Sequence, residues 1–322
     1  MSITSIKTAL EKNSIGKFVV KLYHWCIAVP RAKILLVVYK YKRNSAVFKE
    51  LSSIRFLSDE ETFKQMRVEK KSLCRFGDGE IRWMFQKTTG SFGQENSKEL
   101  STRLQEIIKS TDESILIAIP KFFDEMDGYD TSRIKSRNVH LAQCASMWRN
   151  VLDLNRVYPD ALITRVYNGR HNCDWNWMFE QWKSIWNNKD IIVIEGSQTR
   201  FGVGNSLLDN AATVSRIIGP SENAFSRIDD LERLAFNRPK SYLFLIALGP
   251  TATIIAYDLA KKGYQAIDVG HLDIEYEWFI NSETKAVPIK GKYVNEAGGR
   301  STTEFEASVI EKYEKQIIER VL

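Results

Sequence analysis

Asp78 and Glu80 are two carboxylates set two residues apart in the turn Arg75-Phe76-Gly77-Asp78-Gly79-Glu80. Together they offer hard oxygen ligands to one Mg2+ or Mn2+. Such ions keep several waters and also accept phosphate oxygens. Gly77 and Gly79 let the backbone turn closely beside a ligand. The same residues also suit a plain helix start, with Asp78 as its cap and Glu80 in the first turn.

Four further stretches carry chemistry. Glu195-Gly196-Ser197-Gln198-Thr199-Arg200 opens a glycine-rich loop ending at Asn205. Arg200 in that loop could neutralise a phosphate or a departing diphosphate, or simply be solvated. Gly249-Pro250-Thr251-Ala252-Thr253 stands where a strand passes into a helix. Its free N–H groups and two hydroxyls make an anion site, or an ordinary capped turn. Asp268-Val-Gly-His271-Leu-Asp273-Ile-Glu275-Tyr-Glu277 gathers one histidine and several carboxylates. Glu277, Glu275 or His271 could take a proton from a hydroxyl, or cap and solvate a helix. Arg165 to Trp175 is rich in arginine and aromatic residues, which suits a base, a sugar or an acceptor. Neither a GK[ST] phosphate loop nor a GxGxxG fingerprint occurs.

The elements that must position these residues alternate. Apolar runs suited to buried strands are 72–76, 115–119, 161–166, 191–194, 214–218, 242–248 and 266–269. Helical patterns fall at 59–70, 96–110, 132–152, 174–187, 222–236, 251–262 and 302–320. Continuous apolar strands alternating with helices predict a mostly parallel sheet covered on both faces, an α/β Rossmann-like fold. Ligands of such sheets gather beyond the carboxyl ends of the strands. The polar clusters at 75–80, 195–205, 249–253 and 268–278 are therefore expected on one rim.

The 322-residue chain has the composition of a globular protein, 43% apolar and 27% charged. Cys26, Cys74, Cys144 and Cys173 are scattered and suit free thiols in a reducing cytoplasm. The net charge of +6 is uneven. Ten of the 46 basic residues but two of the 40 acidic ones lie within 1–50, which gives that arm +8 and leaves the rest at −2. A body of that charge argues against a nucleic-acid groove. The longest uncharged run of the arm is nine residues, 22–30, short for a transmembrane span. No cleavage site for a signal peptide is evident. Cationic residues interleaved with Phe, Trp, Tyr, Ile and Leu suit a helix lying on the cytoplasmic membrane surface, or one packed on the body or on another protomer.

Taken together, Arg75–Glu80, Glu195–Asn205, Ala247–Thr253 and Asp268–Trp278 resemble the GT-D-type glycosyltransferases, also catalogued as DUF1792. The resemblance covers residues 55–290. It implies a Rossmann-like fold, a UDP-sugar donor, and a DxE motif, here Asp78 and Glu80, binding Mn2+ or Mg2+. It also implies bacterial surface glycan or glycoprotein synthesis. On that basis Arg75, Gly77, Gly196, Ser197, Arg200, Gly249, Thr251 and Thr253 are expected around the donor diphosphate. The expected organisation is a basic arm at 1–50, a catalytic domain at 51–300, and a helix at 301–322 packed on it. Two rival readings are a nucleotide-sugar hydrolase, with water replacing the acceptor, and a non-catalytic scaffold for glycan assembly.

Overall fold

The computed structural model describes residues 14–88, 93–123, 125–297, 299–300 and 304–321. Strand β1 (Arg55–Phe56) pairs in parallel with β4 (Val157–Tyr158). The main sheet is formed by β2 (Ser72–Arg75), β3 (Ile115–Ala118), β5 (Asp190–Gly196), β6 (Thr213–Gly219), β7 (Leu243–Ala247), β8 (Gln265–Asp268) and β11 (Ile317–Arg320). Its order is β11-β6-β5-β7-β8-β2-β3, and every pair is parallel. A small antiparallel pair, β9 (Tyr293–Val294) and β10 (Gly299–Arg300), lies outside it.

Successive strand residues point to opposite faces, and the core divides accordingly. Cys74, Ile117, Ile192, Ile194, Phe244 and Ile246 belong to one apolar cluster. Their neighbours Leu73, Leu116, Ile191, Val193, Leu243 and Leu245 belong to the other. The first face is covered by α5 (Glu80–Met84), α6 (Lys98–Ile108), α7 (Thr131–Val151), α9 (Ile228–Phe236) and α10 (Pro250–Lys261). The second is covered by α4 (Asp59–Arg67), α8 (Trp175–Trp186) and α11 (Leu272–Ile280). Helix starts follow their cap residues: Ser58 accepts from the Glu61 N–H, Ser97 from that of Leu100, and Asp174 from that of Trp177. Trp182 and Trp186 of α8 are buried, whereas Trp177 is exposed.

Two expected elements differ. The apolar run 161–166 contains a 3-10 helix, Ala161–Thr164, rather than a strand. Asp160 turns the chain there, its Oδ1 accepting from the backbone N–H groups of Leu162 and Lys121. The chain bridges to Ile119 at Asp160, just after β3, and Ala161 and Thr164 then accept from Arg75 at the carboxyl end of β2. The expected helix at 302–320 is shorter: α12 runs Ala307–Gln316 and gives way to β11. Two consecutive isoleucines, Ile317 and Ile318, favour extended backbone, and β6 offers an open edge for them to pair with. Residues 301–303 lie outside the described residues.

The arm is helical throughout residues 14–42: α1 (Ser14–Tyr23), a π-helical turn His24–Ala28, and α2 (Val29–Lys42). Phe18–Lys42 is long and apolar enough to cross a membrane by length and composition. That differs from the reading of its longest uncharged run. Helix α2 rests on α7, where Arg137 donates to the Tyr39 hydroxyl at 3.2 Å and Lys42 Nζ to the Ala142 carbonyl at 3.3 Å. In the next short helix, α3 (Ala46–Ser52), Glu50 pairs with Arg149 and continues the sequence of contacts. The contacts advance along both chains in the same sense, so α2 and α7 run parallel. The N-terminal part of the arm therefore projects past the start of α7, on the side of the strand carboxyl ends.

Glu195 and Arg216 form an ion pair inside the sheet at 2.7 Å, with exposures of 0% and 2%. Glu195 also accepts the Phe201 N–H, and Arg216 donates to the Phe201 carbonyl and to Gln316. The pair thus ties the loop after β5 to α12. Burial pushes the Glu195 carboxyl up, and Arg216 works against that. Replacing Glu195 with alanine leaves a buried guanidinium short of its counter-ion, so Glu195→Ala should cost about 3–5 kcal/mol of stability in urea unfolding.

Candidate active site at the strand carboxyl ends

Strand β5 connects towards β6 on one side while β7 connects towards β8 on the other, so a switch point falls between β5 and β7. Gly196 and Ser197 end β5 there, and Gly249 begins α10 with φ 55° and ψ −141°. That conformation is essentially restricted to glycine. Gly196 is also packed closely: a Cβ would stand 3.3 Å from the Pro220 carbonyl oxygen. Ser197 donates its backbone N–H to the Gly219 carbonyl. Of these three residues Gly249 is exposed, Ser197 half-buried and Gly196 buried.

The next part of the rim is built on Arg75. Strands β2 and β8 are neighbours, and the Arg75 guanidinium crosses between them. Its Nε donates to the Asp268 carbonyl at 3.1 Å, its Nη2 lies 3.3 Å from Asp268 Oδ1, and its Nη1 donates to the Ala161 carbonyl and to Thr164 Oγ1. Asp268 Oδ1 accepts the Gly270 N–H, and the Thr253 hydroxyl donates to the Arg75 carbonyl at 2.7 Å. Burial raises the Asp268 carboxyl, opposed by Arg75. Arg75 and Thr253 were expected to face a diphosphate, but their polar atoms are engaged within the fold. Thr251 is likewise buried, its hydroxyl 3.5 Å from Gln94 Oε1.

Asp78 is exposed and, among the described residues, has no side-chain hydrogen bond or ion pair. Glu80 Oε2 accepts the Gly77 N–H at 2.8 Å. Burial raises its carboxyl to about 7, against the pull of the backbone N–H groups. Around Asp78 stand His271, Arg165 and His140, all of which respond to its charge. His271 Nε2 is 3.5 Å from Glu296 Oε1, and Arg165 donates to the same oxygen at 2.7 Å. Burial, and then the Arg165 charge, drive His271 well below the usual histidine range, so it is neutral at pH 7. Burial opposes ionisation of Glu296, but His271 and Arg165 outweigh it and hold its carboxyl low.

The two glutamates expected as bases are enclosed. Glu275 has no exposure; its Oε2 accepts the Tyr167 and Asn168 N–H groups, while Oε1 stands 3.5 Å from Arg133 and 3.6 Å from Arg165. It holds those two arginines at the rim. Glu277 Oε1 lies 2.9 Å from Nζ of the fully buried Lys292 and accepts from Asn205 at 2.7 Å. Asp273 binds the same lysine through both oxygens and accepts the Gly202 N–H. These contacts fasten the 196–205 loop onto α11. Arg200 is held by the Gly291 carbonyl at 2.9 Å and by Glu304 at 2.6 Å, near the rings of Phe305 and Tyr313.

The structure thus brings Asp78, Glu80 and His271 to one place beside Arg75. It adds Arg133, Arg165 and Glu296. Arg165 was marked by its arginine-rich segment. Arg133 and Glu296 carry no motif; they arrive from the first turn of α7 and from the 3-10 turn Asn295–Ala297. Among the described residues no three His, Cys, Asp or Glu side chains converge as a metal cage. Asp78 and Glu80 by themselves are two oxygen donors, which fits a cation whose other ligands are water and phosphate oxygens.

A parallel doubly wound sheet with a carboxylate pair and arginines at its carboxyl rim defines a Rossmann-like enzyme site. The chain belongs to the glycosyltransferase GT-D fold family, whose description matches residues 73–297. It is 32% identical over 276 residues to "Glycosyltransferase GlyD" of Streptococcus pneumoniae, covering 85% of this chain and 33% of that protein. It is 30% identical over 278 residues to "Probable glycosyl transferase Gly" of Streptococcus gordonii, covering 84% and 39%. The chain therefore spans about a third of the length of these curated relatives. It is also similar to a solved domain of unknown function 1792, described as having a distinct glycosyltransferase fold. There the TM-score is 0.80 at 34% identity, covering 86% of this chain and 99% of that one. A Streptococcus sanguinis glycosyltransferase of the same class matches with TM-score 0.77 and 30% identity over 84% of this chain and all of that one.

Gly270 has φ +48°, and a Cβ there would sit 1.9 Å from Arg75 Nη2. Gly270→Ala should therefore displace the guanidinium as well as strain the backbone by about 1–2 kcal/mol. A lowered urea midpoint is expected. Arg75→Lys, which keeps charge without the fork, should also lower it.

Proposed function

We propose that the protein is a metal-dependent glycosyltransferase that moves a hexosyl group from a UDP-sugar to a glycan, glycoprotein or lipid-linked acceptor in bacterial surface glycan synthesis. One observation carries the reading. Asp78 is exposed, and Glu80, two residues on in the same turn, has a carboxyl raised to about 7 by burial. A group so placed ionises readily once a cation faces it. The similarity to streptococcal glycosyltransferases supports the choice of reaction and setting.

In this reading Asp78 and Glu80 would hold Mn2+ or Mg2+. The bound cation supplies Lewis-acid stabilisation of the charge on the departing UDP. Arg165 and Arg133, held in place by Glu275, add positive charge at the same rim. The exposed backbone at Gly249, at the switch point, is where the nucleotide would approach. Glu275 and Glu277 are fixed by their own partners, so the acceptor hydroxyl would meet His271. His271 is neutral at pH 7 and so open to a proton, but burial and the Arg165 charge oppose its imidazolium, so it would act as a weak base, with Glu296 as the counter-charge.

Asp78→Asn and Glu80→Gln should each lower metal-dependent UDP release by at least about 100-fold, while thermal stability stays near wild type. UDP release that requires no acceptor would instead identify a hydrolase. Metal affinity should also follow the ionisation of Glu80. Below pH 7 the raised carboxyl is protonated, so Mn2+ affinity in calorimetry should fall about tenfold per pH unit and level off above. Glu80→Gln should flatten that profile. An unchanged wild-type affinity between pH 5 and 8 would remove Glu80 from the site.

A further inference from the structure

We infer that the helical arm lies in the plane of an anionic lipid surface and seats the protein on it through one narrow face. Ile27, Pro30, Ile34, Val37 and Tyr41 are all exposed. At 100° per residue the four that belong to α2, Pro30, Ile34, Val37 and Tyr41, occupy only about 60° of the helix circumference. Ile34, Val37 and Tyr41 are 64%, 52% and 83% exposed, so the stripe is open to solvent along α2. Ala32, Leu35, Leu36 and Tyr39 are half-buried and fall on the opposite side, towards α7. The body therefore covers the back of the helix and leaves the apolar stripe outward.

The basic residues of α2 border the stripe. On the helix wheel Arg31 lies along one edge, and Lys33 and Lys40 along the other, while Lys42 turns to the Ala142 carbonyl of α7. Apolar residues in the acyl boundary with cations on both flanks among headgroups is the arrangement of an in-plane helix. The +8 charge of residues 1–50, against −2 for the rest, supplies the complement to an anionic leaflet. A second copy of the same stripe would bring like charges together on both flanks. Crossing the membrane would place Arg31 and Lys33 near the middle of the span Phe18–Lys42, which is costly. It would also require α2 to leave α7.

The full-length protein should be floated with vesicles of phosphatidylcholine alone and of phosphatidylcholine mixed with phosphatidylglycerol. About tenfold more protein is expected with the anionic vesicles, and high salt should weaken the association. Ile34→Glu/Val37→Glu, and separately Lys33→Glu/Lys40→Glu, should abolish it with unchanged circular dichroism and melting temperature, since these side chains face solvent. Equal association with both vesicle types, or variants that float like wild type, would overturn the inference. So would retention on membranes through alkaline carbonate, which would mark a spanning helix. A vesicle-free dimer that Ile34→Glu/Val37→Glu dissociates would identify a second copy as the occupant and equally overturn it.

Discussion

The guanidinium of Arg75 is the point on which the rim depends. It bonds to Asp268 at the end of the neighbouring strand and to Ala161 and Thr164 beneath Arg165. A planar fork of five donors suits such a junction, because it can satisfy several acceptors in fixed directions. The pair is largely withdrawn from water, with exposures of 16% and 5%, so neither partner is easily dispensed with. The turn carrying Asp78, the turn carrying His271 and the segment carrying Arg165 all leave from atoms that Arg75 touches.

A second network does for the glycine-rich loop what Arg75 does for the metal-suited turn. Lys292, with no exposure, faces both Asp273 and Glu277, and Asn205 bonds to the same two carboxylates. The carboxylates of α11 therefore stabilise the shape of the site. Asp78 stands apart from this pattern. Most acidic groups near the rim are paired or bonded to backbone N–H groups, while Asp78 is left facing solvent. That contrast separates a group available to a ligand from groups that hold the scaffold.

Much of the fold was legible in the sequence. Six of the apolar runs became strands because both faces of the sheet are covered, and burial on both sides writes a continuous apolar signature. Two elements were not legible for local reasons. The run at 161–166 has the right residues for a strand, but Asp160 turns it into a 3-10 helix at the strand carboxyl ends, where Arg75 binds it. The two isoleucines after Gln316 continue a helical pattern, and only the open edge of β6 makes them a strand. Within the site, residue type revealed which side chains could do chemistry but not which were already engaged. Arg200, Glu275 and Glu277 have partners 91, 108 and 72 residues distant in the chain. Glu296 and Arg133, conversely, have ordinary neighbours in sequence and gain meaning only from what they meet.

The adjacency of β2 and β8 also orders events in time. Arg75 and Asp268 are separated by 193 residues, and β8 is the strand that joins β2 and β3 to the rest of the sheet. As the chain leaves the ribosome, β2 can pair with β3 early, but its other edge must wait until residue 268 has emerged. Until then an apolar strand edge stays open and the Asp78 turn lacks its support. The turn is thus made well before the strand that completes its support. During that interval the nascent chain is exposed to mispairing, and the burden falls on holding factors rather than on its own stability.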